Sequence, residues 1–240
     1  MSAVKGSDPT TLSRRDRAKA TQRRIVHAAY QLFCEQGYVG TTMAQIAEAA
    51  GVAVQSVYFT FHSKPTLLSR AYDFAVMGSE PQDPEQQAFY LAMRTEPDAA
   101  RALRHFVTGV GEITRRVTPL ALAAQVAADG DPDTARVLAV HDRMQADAFR
   151  EVVNLLGAKA PLLPGPERAT DLLLVYTGTD AYHVLVEGRG WSHDEWIEWS
   201  VTALARELFG LPIASERALT AARQVRLRPA PAPGSPLSGP

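Results

Sequence analysis

Apolar positions along this chain recur at three- and four-residue steps almost throughout, and no stretch alternates long enough to predict a strand. Ile25, Ala28, Ala29, Leu32 and Phe33 form the first stripe, which predicts an amphipathic helix that Gly37 stops. Thr42 is a good N-cap, and Gln45 three residues on completes a capping box, so a short helix follows with Ile46, Ala47 and Ala50 on one face. Gly51 ends it in a left-handed conformation that only glycine adopts without a Cβ penalty. Ala53 to Phe61 predicts a second short helix with Val57 and Phe61 inward. Ser63 caps the next, which carries Leu67, Leu68, Ala71, Tyr72, Ala75 and Val76 and breaks near Gly78.

Pro81 and Pro84 mark a linker, and a body that reads as helix throughout begins near Asp83. A short helix is predicted over about 85–94. Pro97 falls in the first turn of a helix carrying Leu103, Phe106, Val107, Val110 and Ile113. Pro119 is expected to open a separate Ala-rich helix to Asp129, and Pro132 a long one to Leu156. After a loop with three prolines, one strongly apolar helix is predicted over 167–187, and Ser192 caps the last. The fold class is all-α.

The stretch from Thr41 to Leu68 carries the chemistry. Small Ala47 lets two short helices cross closely around the Gly51 turn, as a helix-turn-helix requires. The second helix leaves Ala53, Val54, Gln55, Ser56, Tyr58, Phe59 and Thr60 outward. Gln55 has the two groups that pair with adenine, Ala53 and Val54 suit a thymine methyl, and Ser56 is permissive. Tyr58, Thr60 and Lys64 are candidate phosphate ligands, and Thr42 joins the candidate DNA contacts. The plain alternative is a helical hairpin that merely packs.

Charge favours the DNA reading. The net charge is −1, yet residues 1–70 carry +5 and the remainder −6. A basic N-terminal third on an acidic body suits a module that meets phosphate. Arg14, Arg15, Arg17, Lys19, Arg23 and Arg24 supply most of that charge directly before the helix-turn-helix. The single Cys34 excludes an internal disulfide and fits a reducing, cytoplasmic setting; it reads as a buried small residue on the first helix. No apolar run is long enough to span a membrane.

The run TTMAQIAEAAGVAVQSVYFTFHSKPTLL resembles the DNA-binding segment of TetR-family transcriptional regulators: paired threonines, I-A-x-x-A-G-V, a late aromatic in the recognition helix, and F-x-S-K before helix four. The preceding RRIVHAAYQLFCEQGYVGTT is similar to that family's first helix and its Gly-Tyr exit. Pro65 departs from the family's acidic residue, and Phe59-Thr60 from its histidine or tyrosine. The resemblance implies an N-terminal three-helix DNA-binding domain over 19–65 and a C-terminal helical ligand-binding and dimerisation domain over 66–210. A disordered basic arm over 1–18 and a Pro-rich flexible tail over 211–240 flank them.

By the same resemblance the protein is a homodimer on double-stranded operator DNA, a repressor released by a small molecule. Phe149, Val152, Leu172, Val175, Thr179, Tyr182 and Val186 are then candidates for the dimer interface. Tyr72, His105, Phe106, Gln125, His141, Met144 and Tyr176 are candidates for a ligand pocket, with the fourth helix as the lever. Trp191, Trp196 and Trp199 read as packing rather than an aromatic cage.

Enzyme chemistry has little support. Gly109-x-Gly111 and Gly188-x-Gly190 lack the strand and third glycine of a dinucleotide fingerprint, and there is no G-x-S-x-G elbow. His183, His193 and Asp194 lack metal-ligand spacing, and no cofactor is expected. Two rivals remain open: a DNA-binding regulator without an inducer, and a helical protein-interaction module.

Overall fold

The chain starts its first helix earlier than its apolar stripe. Ser13 accepts the amide of Asp16, and the Asp16 carboxylate takes the Ser13 amide in return, a capping box that opens α1 (Arg14–Gln36). The basic run from Arg14 is therefore helical, so residues 14–18 of the expected arm belong to α1. The computed structural model describes residues 13–78 and 86–211. Residues 1–12, the linker prolines Pro81 and Pro84, and the tail from residue 212 on lie outside the described residues.

Three further helices follow α1: α2 (Met43–Ala49), α3 (Val54–Phe61) and α4 (Lys64–Met77). The body holds α5 (Ala88–Thr95), α6 (Ala99–Ala128), α7 (Pro132–Gly157), α8 (Pro166–Thr177), the short α9 (Thr179–Tyr182) with a π-helical turn at His183–Glu187, and α10 (His193–Phe209). No strand occurs among the described residues. Ser192 and Glu195 form a capping box at the start of α10.

Two stretches of helix differ from expectation. Pro119 does not open a new helix but lies inside α6. A proline there removes one backbone bond and costs about 3 kcal/mol in an exposed helix. Here both halves of α6 are anchored. Leu103, Phe106, Val107 and Val110 are buried in the body core, while Leu120, Ala121, Ala124 and Ala127 are buried against α1 and α4. Tertiary burial on both sides of Pro119 outweighs the lost bond, and α6 runs about 45 Å as one spine.

The apolar run 167–187 is instead broken at Gly178, whose extended backbone separates α8 from α9. The carbonyls freed there are satisfied from neighbouring helices. Thr114 in α6 donates to the Thr177 carbonyl at 2.8 Å, and Ser200 in α10 to that of Tyr176 at 2.9 Å. A Cβ on residue 178 would stand 2.4 Å from the Leu174 carbonyl oxygen, so glycine is required by space rather than by φ.

Candidate nucleic-acid interface

The platform for α3 is set by backbone chemistry. Thr41 is buried and donates to the Gly37 carbonyl at 2.8 Å, tying the end of α1 to the start of α2. Thr42 accepts the Gln45 amide, and Gln45 Oε1 accepts the Thr42 amide at 2.8 Å, the capping box read from the sequence. Gly51, at φ +63°, turns the chain, and the Val52 amide bonds the Ala47 carbonyl at 2.9 Å. Val57 and Phe61 are buried, which fixes the face that α3 turns outward.

On that outward face Gln55 and Ser56 are exposed, with Tyr58 at 51% and Phe59 at 85% exposure. Ala53 is the N-cap and is exposed. Val54 differs from expectation: it is half-buried and packs on the core, because it shares the inward stripe with Val57 and Phe61. The Thr60 hydroxyl turns back onto the Ser56 carbonyl at 2.8 Å. His62 closes α3 at φ +60°, a left-handed conformation that a side chain adopts only under strain. The Ser63 hydroxyl accepts the Thr66 amide to start α4.

Lys64 is held rather than free. Its ammonium stands 4.3 Å from the centroid of the Tyr38 ring, and partial burial lowers its pKa while Asp131 at the start of α7 works to raise it. Thr134 of α7 lies against the Tyr38 phenol, so the α6–α7 turn reaches the base of the helix-turn-helix. The exposed cations of α1 line another feature, a cleft of about 940 Å³ between α1 and α4 with Lys19, Arg23, His62 and Arg70 on its rim and Val26, Phe74 and Met77 within.

The candidate pocket residues are scattered. Tyr72 on α4 is buried and stacks on His141 of α7 at 4.5 Å, and His141 Nε2 is 3.4 Å from the Ser69 hydroxyl. Burial raises the Tyr72 pKa well above its usual range and lowers that of His141. Phe106 is buried edge-on to Phe149 at 5.2 Å, inside the body core. His105, Gln125 and Met144 are exposed on the surface, and Tyr176 packs on Trp199. Only Tyr72 and His141 come together, so the other five do not line one pocket with them.

The dimer candidates divide in the same way. Phe149, Val152 and Tyr182 are buried in the chain's own core, which removes them from an exposed interface. Val175 on α8 is 65% exposed, with Leu172, Thr179 and Val186 half-buried. Trp196 is fully buried, and Trp191 meets Trp199 edge to face at 5.9 Å, so the tryptophans pack. Cys34 is half-buried, and burial pushes its thiol up to about 11. His193 bonds Tyr182 and Glu112 at 3.2 Å each, and no three His, Cys, Asp or Glu among the described residues could hold a metal. No described helix is long and apolar enough to cross a membrane.

Sequence reasoning passed over three residues that matter here. Phe59 stood among the outward residues without a role of its own. Ser13 was readable from its capping box with Asp16. Arg116 carried no signal: its guanidinium reaches from α6 to the Ala75 carbonyl at 2.8 Å and that of Val76 at 3.3 Å.

Comparison with known proteins agrees with this geometry. Residues 25–71 match the family described as bacterial regulatory proteins, tetR family. The chain is 29% identical over 191 residues to an HTH-type transcriptional regulator of Mycobacterium tuberculosis, covering 75% of this chain and 82% of that one. The crystal structure of NalD, the secondary repressor of the MexAB-OprM multidrug efflux pump in Pseudomonas aeruginosa, shares the fold. It has a TM-score of 0.58 and 23% identity, over 80% of this chain and 97% of that one. A transcriptional regulator of Saccharomonospora viridis solved with choline has a TM-score of 0.60 and 15% identity, over 79% and 98%.

Proposed function

The chain belongs to the TetR family of bacterial transcriptional regulators, and on that premise we propose that it is a homodimeric repressor released from operator DNA by a small molecule. The observation that carries the reading is the outward face of α3. Gln55, Ser56, Tyr58 and Phe59 stand clear of a platform that buries Val57 and Phe61, as a major-groove helix must.

Two copies would set two recognition helices about 34 Å apart on successive turns of DNA in the cytoplasm. The exposed Val175 and half-buried Leu172 on α8, with Thr179 at the start of α9, offer a face for the partner. Release would work through α4. Arg116 grips its C-terminal end, and His141 and Ser69 join it to α7, so a ligand that favours one arrangement of α6 and α7 shifts the lever. The Saccharomonospora viridis regulator of the same fold was solved in complex with choline, which supports a small molecule as the releasing ligand.

A regulator without an inducer is the second reading. The close packing of Tyr72, Ala75, Leu120 and Ala124 where α4 meets α6 and α7 favours it. Footprinting the purified chain on its own upstream DNA, with and without a panel of small molecules, separates the two. A protected palindrome lost on addition of one compound supports release. A footprint that no compound alters supports the second reading, and protection of no sequence on any DNA opposes both.

A further inference from the structure

Phe59 is the most exposed large apolar side chain among the described residues, at 85%. At about 100° per residue it stands on the side of α3 opposite the inward stripe of Val54, Val57 and Phe61, with Gln55 and Ser56 to either side. Tyr58 and Thr60 lie on the two flanks. If α3 enters a major groove, Phe59 is the residue that meets the floor.

We infer that Phe59 reads a thymine, its ring covering the C5-methyl group one or two base pairs from the adenine that Gln55 engages. The inference rests on the DNA-binding reading of α3 and adds a base to it. A phenyl ring has no donor or acceptor, and the unmodified major-groove edge offers one apolar group, the thymine methyl. Over cytosine, guanine or adenine the ring would strip water from an amino or carbonyl group and return nothing. Gln55 and Phe59 are one helical turn apart, about 6 Å along α3, and base pairs rise about 3.4 Å. Side-chain reach at both ends keeps the two bases within about two steps of each other.

The test uses the tightest duplex that the full chain enriches from a random-sequence pool. Each thymine is replaced in turn by uracil, which lacks only the methyl group, and binding is measured for the native chain and for Phe59→Ala. One replacement, beside the adenine that Gln55→Ala ceases to distinguish, weakens the native chain about three- to fivefold, the worth of one buried methyl. Phe59→Ala does not respond to that replacement. Cytosine at the same position weakens the native chain further, and 5-methylcytosine recovers part of the loss. Because Phe59 is exposed, the variant keeps the native thermal midpoint, which excludes misfolding as the cause. Equal sensitivity to uracil in Phe59→Ala, or no sensitive thymine in the native chain, overturns the inference and leaves DNA binding standing. Enrichment of no duplex overturns both.

Discussion

The guanidinium of Arg116 in the middle of α6 donates to the carbonyl of Ala75 in the last turn of α4, at 2.8 Å. The end of a helix leaves carbonyls without intrahelical partners and favours a positive charge, and Arg116 supplies both needs from another helix. Tyr30 of α1 in turn donates to the Arg116 carbonyl at 2.9 Å, so three helices meet at this one residue. Arg116→Ala is expected to cost about 1.5–3 kcal/mol, the worth of a charged hydrogen bond, measured by urea unfolding. Arg116→Lys keeps the charge without the fork and should recover only part. An unchanged midpoint in both variants would mean that the lever is held elsewhere.

Lys64 and Asp131 predict opposite effects on DNA affinity. Lys64→Ala should weaken binding to all sequences alike and lower the slope of log affinity against log salt by about one. Asp131→Asn keeps the side chain that accepts the Asp133 amide at the start of α7, and removes a negative charge acting on Lys64. It should tighten binding to all sequences. A change confined to one base position in either variant would contradict a phosphate role for Lys64.

Gly178→Ala tests the break between α8 and α9. The new methyl would stand 2.4 Å from the Leu174 carbonyl oxygen, which is backbone and cannot swing aside. The expected cost is about 1–3 kcal/mol, read from thermal unfolding. Stabilisation by the alanine would show that the break is soft and that 167–187 can run as one helix.

His141 predicts a loss of stability on the acid side of neutrality. Burial against Tyr72 lowers its pKa below the usual value near 6.5, although Asp73 and Asp142 oppose the shift. Above pH 6.5 the imidazole is neutral in both folded and unfolded chains and contributes no pH dependence. As pH falls through 6.5 the unfolded chain takes the proton first, so stability drops until the folded pKa is passed. His141→Gln should flatten the thermal midpoint between pH 7 and pH 5 relative to the native chain. Parallel curves for the two proteins would remove His141 from the account.

Local signals with a backbone mechanism were the legible ones. Thr42 with Gln45, Gly51, Ser63, Gly78 and Ser192 each solve a helix-end problem within a few residues, and each stands where the sequence places it. Pro119 and Gly178 misled because their effect is decided at a distance. Two separate cores hold α6 as one helix through the proline, while Thr114 and Ser200 stabilise a break at the glycine. Phe149 and Val152 show the same limit. Their helical spacing marks an apolar face but does not say whether α6 of the same chain or a second copy covers it. The outward face of α3 was legible because Val57 and Phe61 define it by exclusion.

DNA binding through α3 is the central claim, and a salt series on the enriched duplex tests it most directly. The account predicts an affinity that falls steeply and linearly on a log–log scale between 50 and 200 mM salt, by about 10³ or more for six phosphate contacts. Gln55→Ala should lose base preference while keeping most of that slope. Binding that ignores salt, or a Gln55→Ala variant with native sequence preference, would contradict it.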